Sequence, residues 1–210
     1  HHVETNIVCV ITEEAAHYAA EVYKTLKALG AEYLQFIPCL GTPNRDGISA
    51  VSYVYFLCEL FDLWFQDWYN GHYTGVRQFD DYVHLLAGKS PSCGTATGQC
   101  GEYLVVESDG SVYPCDFYAT DEFYLGNLAE QPISDIISSS KALTAIRKLR
   151  ELPRQCSDCR WFNLCQGGCH RLHQDYNLQD YCNAQHIFFS HAVQRLQAIA
   201  ALEQAVERLI

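Results

Sequence analysis

Two apolar stretches near the start of the chain have the pattern of buried strands. Residues 5–12 (TNIVCVIT) and 32–38 (EYLQFIP) are nearly continuous apolar runs, many of them β-branched or aromatic, which is typical of strands buried on both faces. Residues 13–29 between them place apolar or small residues at helical spacing, and Gly30 follows where a helix C-terminal glycine belongs. This order of strand, helix and strand predicts a βαβ unit in a parallel α/β layer. Because two strands form no stable parallel sheet alone, we expect their partner strands to precede residue 1.

A long aromatic helix is predicted next, over residues 49–69, where an Asn-Gly pair ends it. Its aromatic residues and leucines recur at helical spacing, which is more typical of a packed core than of a binding site. A shorter helix is predicted over residues 79–87. The character of the sequence changes directly afterwards, so we predict a first, α/β domain over residues 1–90.

The second part of the chain combines short strands and helices with many cysteines. Asp109-Gly110 is a specific signal for the turn of a β-hairpin. Elements this small bury little apolar surface of their own, so bound metal centres would be needed to stabilise them. We therefore predict a small α+β domain over residues 91–210. Its predicted elements are the strands 102–107 and 111–114 and the helices 132–139, 141–152 and 183–210.

Charge and composition narrow the possible function classes. The chain has 14 Lys and Arg against 25 Asp and Glu, a formal net charge of −11, and 49% of its residues are hydrophobic. That apolar fraction excludes a disordered chain, and the absence of a basic run argues against a nucleic-acid partner. The longest apolar-leaning stretch, residues 51–68, is interrupted by three acidic residues and no signal peptide opens the sequence, so we expect no membrane association and a cytoplasmic location. The sequence contains no Met, which indicates a piece of a longer protein.

Cysteine is unusually frequent, with 11 residues in the chain, and eight of them fall in its second part. Thiolates that hold one centre must converge on it, and a C-x2-C pair does this within a single turn. Gly167 and Gly168 would let the backbone bend around such a centre. Eight clustered thiols could furnish two four-thiolate sites without any histidine. The eight residues are Cys93, Cys100, Cys115, Cys156, Cys159, Cys165, Cys169 and Cys182.

Three kinds of site fit these cysteines. A disulfide framework requires an oxidising compartment, which nothing in the sequence indicates, so the crowding favours a metal or a cluster. Two zinc sites of four cysteines each and two iron-sulfur clusters both satisfy the ligand chemistry. Residue spacing alone leaves zinc and iron-sulfur open.

The order of the cysteines resembles the seven-cysteine signature of the SPASM domain, the C-terminal extension of a group of radical S-adenosylmethionine enzymes. The matching series is Cys100-x9-Gly110-x4-Cys115, then Cys156-x2-Cys159-x5-Cys165-x3-Cys169, and then Cys182. Within that group, anaerobic sulfatase-maturating enzymes are most similar to the strings DGSVYPCDFY (109–118), LGN (125–127), LCQGGC (164–169), TNIVCVIT and QFIP. This resemblance implies the end of a partial (β/α) barrel, followed by a cysteine-rich SPASM domain with a β-hairpin and a C-terminal helix.

The resemblance also implies cofactors and site residues. Members of the family oxidise a Cys or Ser of a sulfatase to Cα-formylglycine, and they use two auxiliary 4Fe-4S clusters besides the cluster that cleaves S-adenosylmethionine. Asp116 matches the residue that the family is believed to use as general base, and a turn residue that only accepts backbone hydrogen bonds is the alternative. The implied ligands are Cys93, Cys100, Cys115 and Cys169 for the first auxiliary cluster, and Cys156, Cys159, Cys165 and Cys182 for the second.

Cys9, Cys39 and Cys58 lie in apolar segments and are predicted to be buried structural thiols.

One departure from the family pattern determines which chemistry this chain can perform alone. The C-x3-C-x2-C motif that holds the family's radical cluster does not occur in the sequence. We therefore interpret the chain as the C-terminal part of a peptide-modifying radical oxidoreductase. S-adenosylmethionine and the third 4Fe-4S cluster would then belong to the full-length parent only, and the chain alone is predicted to be inactive. The implied partners are a sulfatase or other peptide substrate and an electron donor protein, and the alternative is a non-catalytic zinc-binding interaction module.

Overall fold

The structure is a computed structural model that describes residues 5–41, 46–92 and 94–207. It divides into two compact units. The first comprises the described residues up to Ser92 together with those from Leu172 onward, and the second comprises the described residues between them. The first break lies close to the predicted domain boundary, but the C-terminal segment, which we predicted with the second domain, belongs to the first unit.

A parallel sheet lies in the first unit. It consists of β1 (Ile7–Ile11), β2 (Tyr33–Pro38) and β3 (Gly75–Val76), with β2 in the centre. The predicted parallel pairing is thus present, and β3 is a partner strand that the sequence pattern did not reveal. β1 differs from expectation, because it lies at the edge of the sheet and both Val8 and Val10 are about half exposed. Since side chains alternate between the two faces of a strand, only the opposite face of β1 is packed.

A side chain continues the hydrogen bonding of β2 where β3 ends. A Cβ atom on Gly75 would lie 2.2 Å from Cδ2 of Tyr33, so only glycine allows the close pairing of β3 with β2. Farther along β2, the Phe36 N–H donates to Oε1 of Gln78 at 3.4 Å, and Nε2 of Gln78 donates to the Phe36 carbonyl. The Tyr53 hydroxyl donates to the same carbonyl at 2.9 Å. The central strand therefore keeps its backbone groups paired although its neighbour is only two residues long.

The helices follow the apolar pattern of the sequence. Ser49 caps the long aromatic helix at its predicted start, because its hydroxyl accepts a hydrogen bond from the Ser52 N–H at 3.0 Å. The C-terminal helix begins at Leu178, five residues before its predicted start. The helices in the described part are α1 (Ala19–Ala28), α2 (Ala50–Tyr69), α3 (Arg77–Leu86), α4 (Gly94–Thr97), α5 (Ile133–Ser138), α6 (Ser140–Leu149), α7 (Phe162–Cys165), α8 (His170–Asp175) and α9 (Leu178–Glu207).

Aromatic side chains form the core of the first unit, as the helical spacing predicts. Phe61 of α2 is fully buried, and its ring packs edge-on against Phe79 of α3 and Phe188 of α9, with ring centroids 5.2 and 5.9 Å apart. Nε1 of Trp64 donates to the Thr74 carbonyl at 3.0 Å, so the polar atom of this buried ring is satisfied. α9 packs against α2 and α3 through these rings, which explains why the C-terminal segment belongs to the first unit.

An antiparallel sheet lies in the second unit. β4 (Val105–Val106) pairs with β5 (Ser111–Tyr113), and β5 pairs with β6 (Gly126–Asn127). Gly110 has a φ of +86° in the turn between β4 and β5, and the Ser111 N–H donates to Oδ1 of Asp109 at 2.9 Å. The Asp-Gly signal thus marks the turn, while β4 is shorter than predicted because residues 102 and 103 form a bend.

Within the described ranges, no helix of either unit combines the length and the apolar character needed to cross a membrane.

Small clusters of buried apolar side chains lie in the described part of the second unit. α5 and α6 pack beside the sheet close to the predicted helix positions. One cluster of buried side chains consists of Val112, Leu125, Ile136 and Ala142, and a second consists of Tyr118, Phe123 and Leu149.

Candidate functional site

Cys115 lies two residues after β5, directly before a 3-10 turn over Asp116–Tyr118. Its thiol donates to Oδ1 of Asp116 at 3.2 Å, and the hydroxyl of Tyr103 lies 3.7 Å from its sulfur. Burial raises the pKa of the Cys115 thiol to about 11, and the hydrogen bond to Asp116 adds to this because it stabilises the protonated form. Contacts with the Phe117 N–H and with Tyr103 lower the pKa, since both favour the thiolate. The sulfur therefore lies between an acceptor and hydrogen-bond donors.

Predicted ligands lie near the side chain of Tyr118. Its ring packs against Phe123 with centroids 4.6 Å apart, and Cys100 and Cys115 pack against the same apolar cluster. Burial raises the pKa of Tyr118 to about 12, and negative charge on Cys169, Cys100 and Cys115 adds to that shift in the pKa. The Tyr118 hydroxyl lies 3.4 Å from Nδ1 of His170, the residue that follows Cys169. Two of the four residues implied for the first cluster therefore pack around Tyr118, and the chain neighbour of a third contacts its hydroxyl.

The segment 156–169, called the knuckle below, contains four of the predicted ligands. A 3-10 turn over Arg154–Cys156 leads into it, and the Cys159 N–H then donates to the Cys156 carbonyl at 3.3 Å. This hydrogen bond closes the C-x2-C turn. Cys165 is the last residue of α7, so the first three cysteines of the knuckle lie in consecutive turns, each partly buried.

A sharp reversal separates the last cysteine of the knuckle from the other three. The chain passes through three consecutive left-handed residues, with φ angles of 51° at Gln166, 84° at Gly167 and 67° at Gly168. A Cβ atom on Gly167 would also lie 2.5 Å from Cδ2 of Leu152, so this position requires glycine for space as well as for its backbone angle. The reversal ends at Cys169, whose chain neighbour His170 contacts the Tyr118 hydroxyl.

The backbone around Cys100 is fixed from two sides. Nε of Arg150 donates to the Cys100 carbonyl at 2.7 Å. Gly98 approaches the knuckle so closely that a Cβ atom on it would lie 2.8 Å from the Gln166 carbonyl oxygen. Cys100 therefore reaches the Tyr118 site from a segment held between α6 and the knuckle.

The remaining cysteines lie elsewhere. Cys182 belongs to α9 in the first unit, and Cys93 lies outside the described residues, so their places in the ligand sets stay predictions. Cys9, Cys39 and Cys58, which we expected to be buried, are each partly buried. Burial raises the pKa of Cys9, and it raises the pKa of Cys58 to about 11. Such thiols are poor nucleophiles at neutral pH, in keeping with a structural role.

The donor set fits an iron-sulfur cluster. Thiolates are the usual ligands of such clusters. The fit is one of ligand type. Within the described ranges, no group of three or more His, Cys, Asp or Glu side chains is arranged around a point that could hold a single metal ion.

Asp116, the predicted general base, is exposed on the surface of the second unit. Its Oδ1 accepts a hydrogen bond from the Cys115 thiol, whereas the alternative interpretation invoked backbone amides of the turn. The carboxylate therefore lies beside a predicted cluster ligand, where a peptide can reach it.

Two tyrosines of this site are not indicated by the cysteine pattern of the sequence. Tyr103 follows Cys100 by three residues, and Tyr118 follows Cys115 by the same interval. The Tyr118 hydroxyl also lies 3.4 Å from Nδ1 of His170, a residue that the sequence did not connect with the site. An aromatic residue with a hydroxyl, one turn after a ligand, is the signal that could have indicated both.

Comparison with known proteins also points to iron-sulfur binding by this part of the chain. The model of the SPASM family, described as an iron-sulfur cluster-binding domain, matches residues 98–160. The cysteine-type anaerobic sulfatase-maturating enzyme of Clostridium perfringens (strain 13 / Type A) is 38% identical over 210 residues, covering 94% of this chain and 56% of the relative. The serine-type enzyme of Klebsiella pneumoniae is 33% identical over 173 residues, covering 80% of this chain and 43% of the relative.

Solved structures agree with these relatives. Native anSMEcpe with bound AdoMet has a TM-score of 0.83 and 38% identity, over 93% of this chain and 56% of that one. The same protein with bound AdoMet and the Cp18Cys peptide also has a TM-score of 0.83, over 93% of this chain and 57% of that one. The chain thus spans about half the length of the relatives it matches. Over that shared part, sequence and structure show that the chain belongs to the family of anaerobic sulfatase-maturating enzymes, radical S-adenosylmethionine proteins with an iron-sulfur-binding SPASM domain.

Proposed function

We propose that the protein is an oxidoreductase of anaerobic sulfatase maturation, which converts a Cys or Ser of a sulfatase peptide to Cα-formylglycine. The observation that carries this proposal is the packing of Cys100 and Cys115 against the Tyr118 cluster, with His170, the chain neighbour of Cys169, at the Tyr118 hydroxyl. Both thiols lie inside the segment that matches an iron-sulfur cluster-binding family. The similarity to maturases along most of the chain supports the reaction, and the solved relative with a bound peptide supports a peptide substrate.

Two auxiliary 4Fe-4S clusters are proposed for this chain. The reversal at Gln166–Gly168 supports an interleaved arrangement, because the chain after it reaches the Tyr118 hydroxyl through His170, and Cys100 and Cys115 pack against the cluster of that tyrosine. When bound, such clusters supply one-electron redox capacity. The proposed ligands are Cys93, Cys100, Cys115 and Cys169 for the first cluster, and Cys156, Cys159, Cys165 and Cys182 for the second.

Asp116 is proposed as the general base. Its exposed carboxylate would accept the proton that leaves the thiol or hydroxyl of the substrate residue. A turn that packs through Tyr118 holds the backbone of Asp116, so the carboxylate is attached to a fixed part of the second unit. An electron donor protein is proposed as the second partner, because reductive cleavage of S-adenosylmethionine in the full-length parent would consume one electron.

The parallel sheet supports the assignment of residues 1–90 to the later part of a partial (β/α) barrel. The family match over residues 98–160 supports a SPASM domain within the predicted range 91–210, although the segment from Leu172 onward belongs to the first compact unit. Cleavage of S-adenosylmethionine is assigned to a third cluster in the full-length parent. We therefore expect the 210-residue chain to form no 5′-deoxyadenosine, even with reconstituted clusters and a strong reductant. Product above a no-protein control would contradict this assignment.

Anaerobic reconstitution of the chain with iron and sulfide tests the proposal. We expect a brown protein that contains iron and labile sulfide in equal amounts, and a Cys115→Ala variant that retains about half of both. Cys58→Ala, which removes a thiol outside the predicted ligand sets, should retain all of the iron and all of the sulfide. A colourless protein with stoichiometric zinc would instead support a zinc-binding interaction module.

A further inference from the structure

The sulfur of Cys115 lies beside two polar side chains with opposite hydrogen-bonding capacity. The carboxylate of Asp116 accepts from the thiol at 3.2 Å, and the hydroxyl of Tyr103 lies 3.7 Å from the same sulfur. A sulfur that holds iron does so as a thiolate, which can only accept hydrogen bonds. Of the two side chains, only Tyr103 then has a proton to donate.

The position of Tyr103 is set by the same segment that places Cys100. Gly101, between them, has a φ of +79°, and a Cβ atom on it would lie 2.7 Å from Cγ1 of Ile146 in α6. The segment therefore lies directly on α6, with the Tyr103 side chain exposed toward Cys115. The tyrosine is held near the sulfur by the fold of the second unit.

We propose that Tyr103 is a positioning residue that donates a hydrogen bond to the Cys115 sulfur of the loaded first cluster and raises the reduction potential of that cluster. This inference rests on the proposed function, because it takes Cys115 as a cluster ligand. Reduction adds negative charge to the cluster and its sulfurs, so a hydrogen-bond donor stabilises the reduced state more than the oxidised state. Loss of the donor therefore makes the cluster harder to reduce.

The variant Tyr103→Phe tests this, because it removes the hydroxyl and keeps the ring. Tyr103→Phe and its parent are both prepared in a Cys159→Ala background, in which the knuckle cluster is absent and a single auxiliary cluster is observed. The matched control is Tyr124→Phe, since that tyrosine lies in the same unit and its ring contacts Tyr113 and Lys141. The readouts are iron and sulfide content, and the fraction of reduced cluster by EPR in an anaerobic redox titration with dithionite.

We expect normal iron and sulfide in Tyr103→Phe, with the ratio of reduced to oxidised cluster lowered by about tenfold at a fixed potential. For a one-electron couple this is a shift of about 59 mV. Tyr124→Phe should match the parent. An unchanged or increased ratio in Tyr103→Phe would overturn the inference and leave the proposed function intact, and so would a variant that assembles no cluster although its parent does. A parent that assembles no cluster would contradict both.

Discussion

The two compact units of this chain are stabilised in different ways. The first has a continuous core of large aromatic rings from α2, α3 and α9, with Phe61 and Phe188 almost fully buried within it. In the described residues of the second unit the apolar clusters are small, and one of them includes Cys100 and Cys115 at its margin. We expect such a unit to depend on bound centres for stability. The cysteines of the second unit would then serve folding as well as chemistry.

Removal of the clusters should have a much larger effect on the stability of the second unit than on that of the first. Chelation of iron from the reconstituted chain should lower hydrogen-exchange protection in the second unit by about 100-fold or more, because metal-binding free energy there is folding free energy. Protection of α2 and α3 should stay within a few-fold. Amide exchange followed by mass spectrometry measures both. Equal loss in the two units would show that they do not differ in the way described.

Substitution of the proposed base separates chemistry from folding in the second unit. In the full-length parent, Asp116→Asn keeps the shape of the side chain but cannot accept a proton, so formylglycine formation should fall by about 10² to 10⁴. Mass spectrometry of a substrate peptide measures the product, and cleavage of S-adenosylmethionine should persist.

Asp121→Asn is the matched control, because that exposed carboxylate lies in the next 3-10 turn. It should leave product formation near the parental rate. If Asp116→Asn also formed product at near the parental rate, Asp116 would be a structural turn residue and the base would be another group.

The aromatic core of the first unit predicts a large effect on stability alone. Phe61→Ala removes a fully buried ring of α2 that contacts α3 and α9, so we expect a loss of about 3–5 kcal/mol in the free energy of unfolding. Tyr55→Ala on the same helix removes a largely exposed ring and should cost about 0.5 kcal/mol or less. Urea denaturation followed by far-UV circular dichroism measures both. Similar losses in the two variants would contradict the described packing.

A smaller, pH-dependent effect is expected at Asp80 in the first unit. Burial raises the pKa of this carboxyl to about 7, although the Tyr73 hydroxyl donates to Oδ1 at 2.9 Å and opposes the shift. Because the pKa in the folded state lies above that of the unfolded chain, the stability from the neutral acid is present at low pH and is lost as pH rises toward 7.

Asp80→Asn should therefore raise the free energy of unfolding at pH 8 by about 2 kcal/mol, with little change near pH 4. Glu21→Gln, at an exposed position of α1, should change stability at neither pH. Denaturation midpoints at the two pH values measure this difference. A gain for Asp80→Asn that is the same at both would contradict the raised pKa.

The sequence predicts the first unit well wherever one apolar face decides the structure. The aromatic helix was predicted one residue before α2 begins, because the pattern of Phe, Leu and Trp has the helical period. The exposure of Val8 and Val10 was not predictable in this way, since a run of β-branched residues looks the same in an edge strand and in a central strand. Nor does local sequence show that α9 would pack with α2.

In the second unit, the sequence predicts chemistry better than geometry. Cysteine spacing indicates the ligand type, and the Asp-Gly pair marks the turn before Cys115. The gathering around Tyr118 and the contact of Tyr103 with a sulfur depend on residues far apart in sequence, held by α6 and by the left-handed turn before Cys169. Periodicity carries no information on such contacts.

The central claim is that Cys169 leaves the knuckle and shares a cluster with Cys115, while Cys165 belongs to the other cluster. Iron and labile sulfide in anaerobically reconstituted double variants test it most directly. Cys115→Ala with Cys169→Ala should retain about half of the parental iron, the same as either single variant, whereas Cys165→Ala with Cys169→Ala should retain almost none. If the first pair lost all of its iron and the second pair retained half, Cys169 would belong to the knuckle cluster and the claim would be wrong.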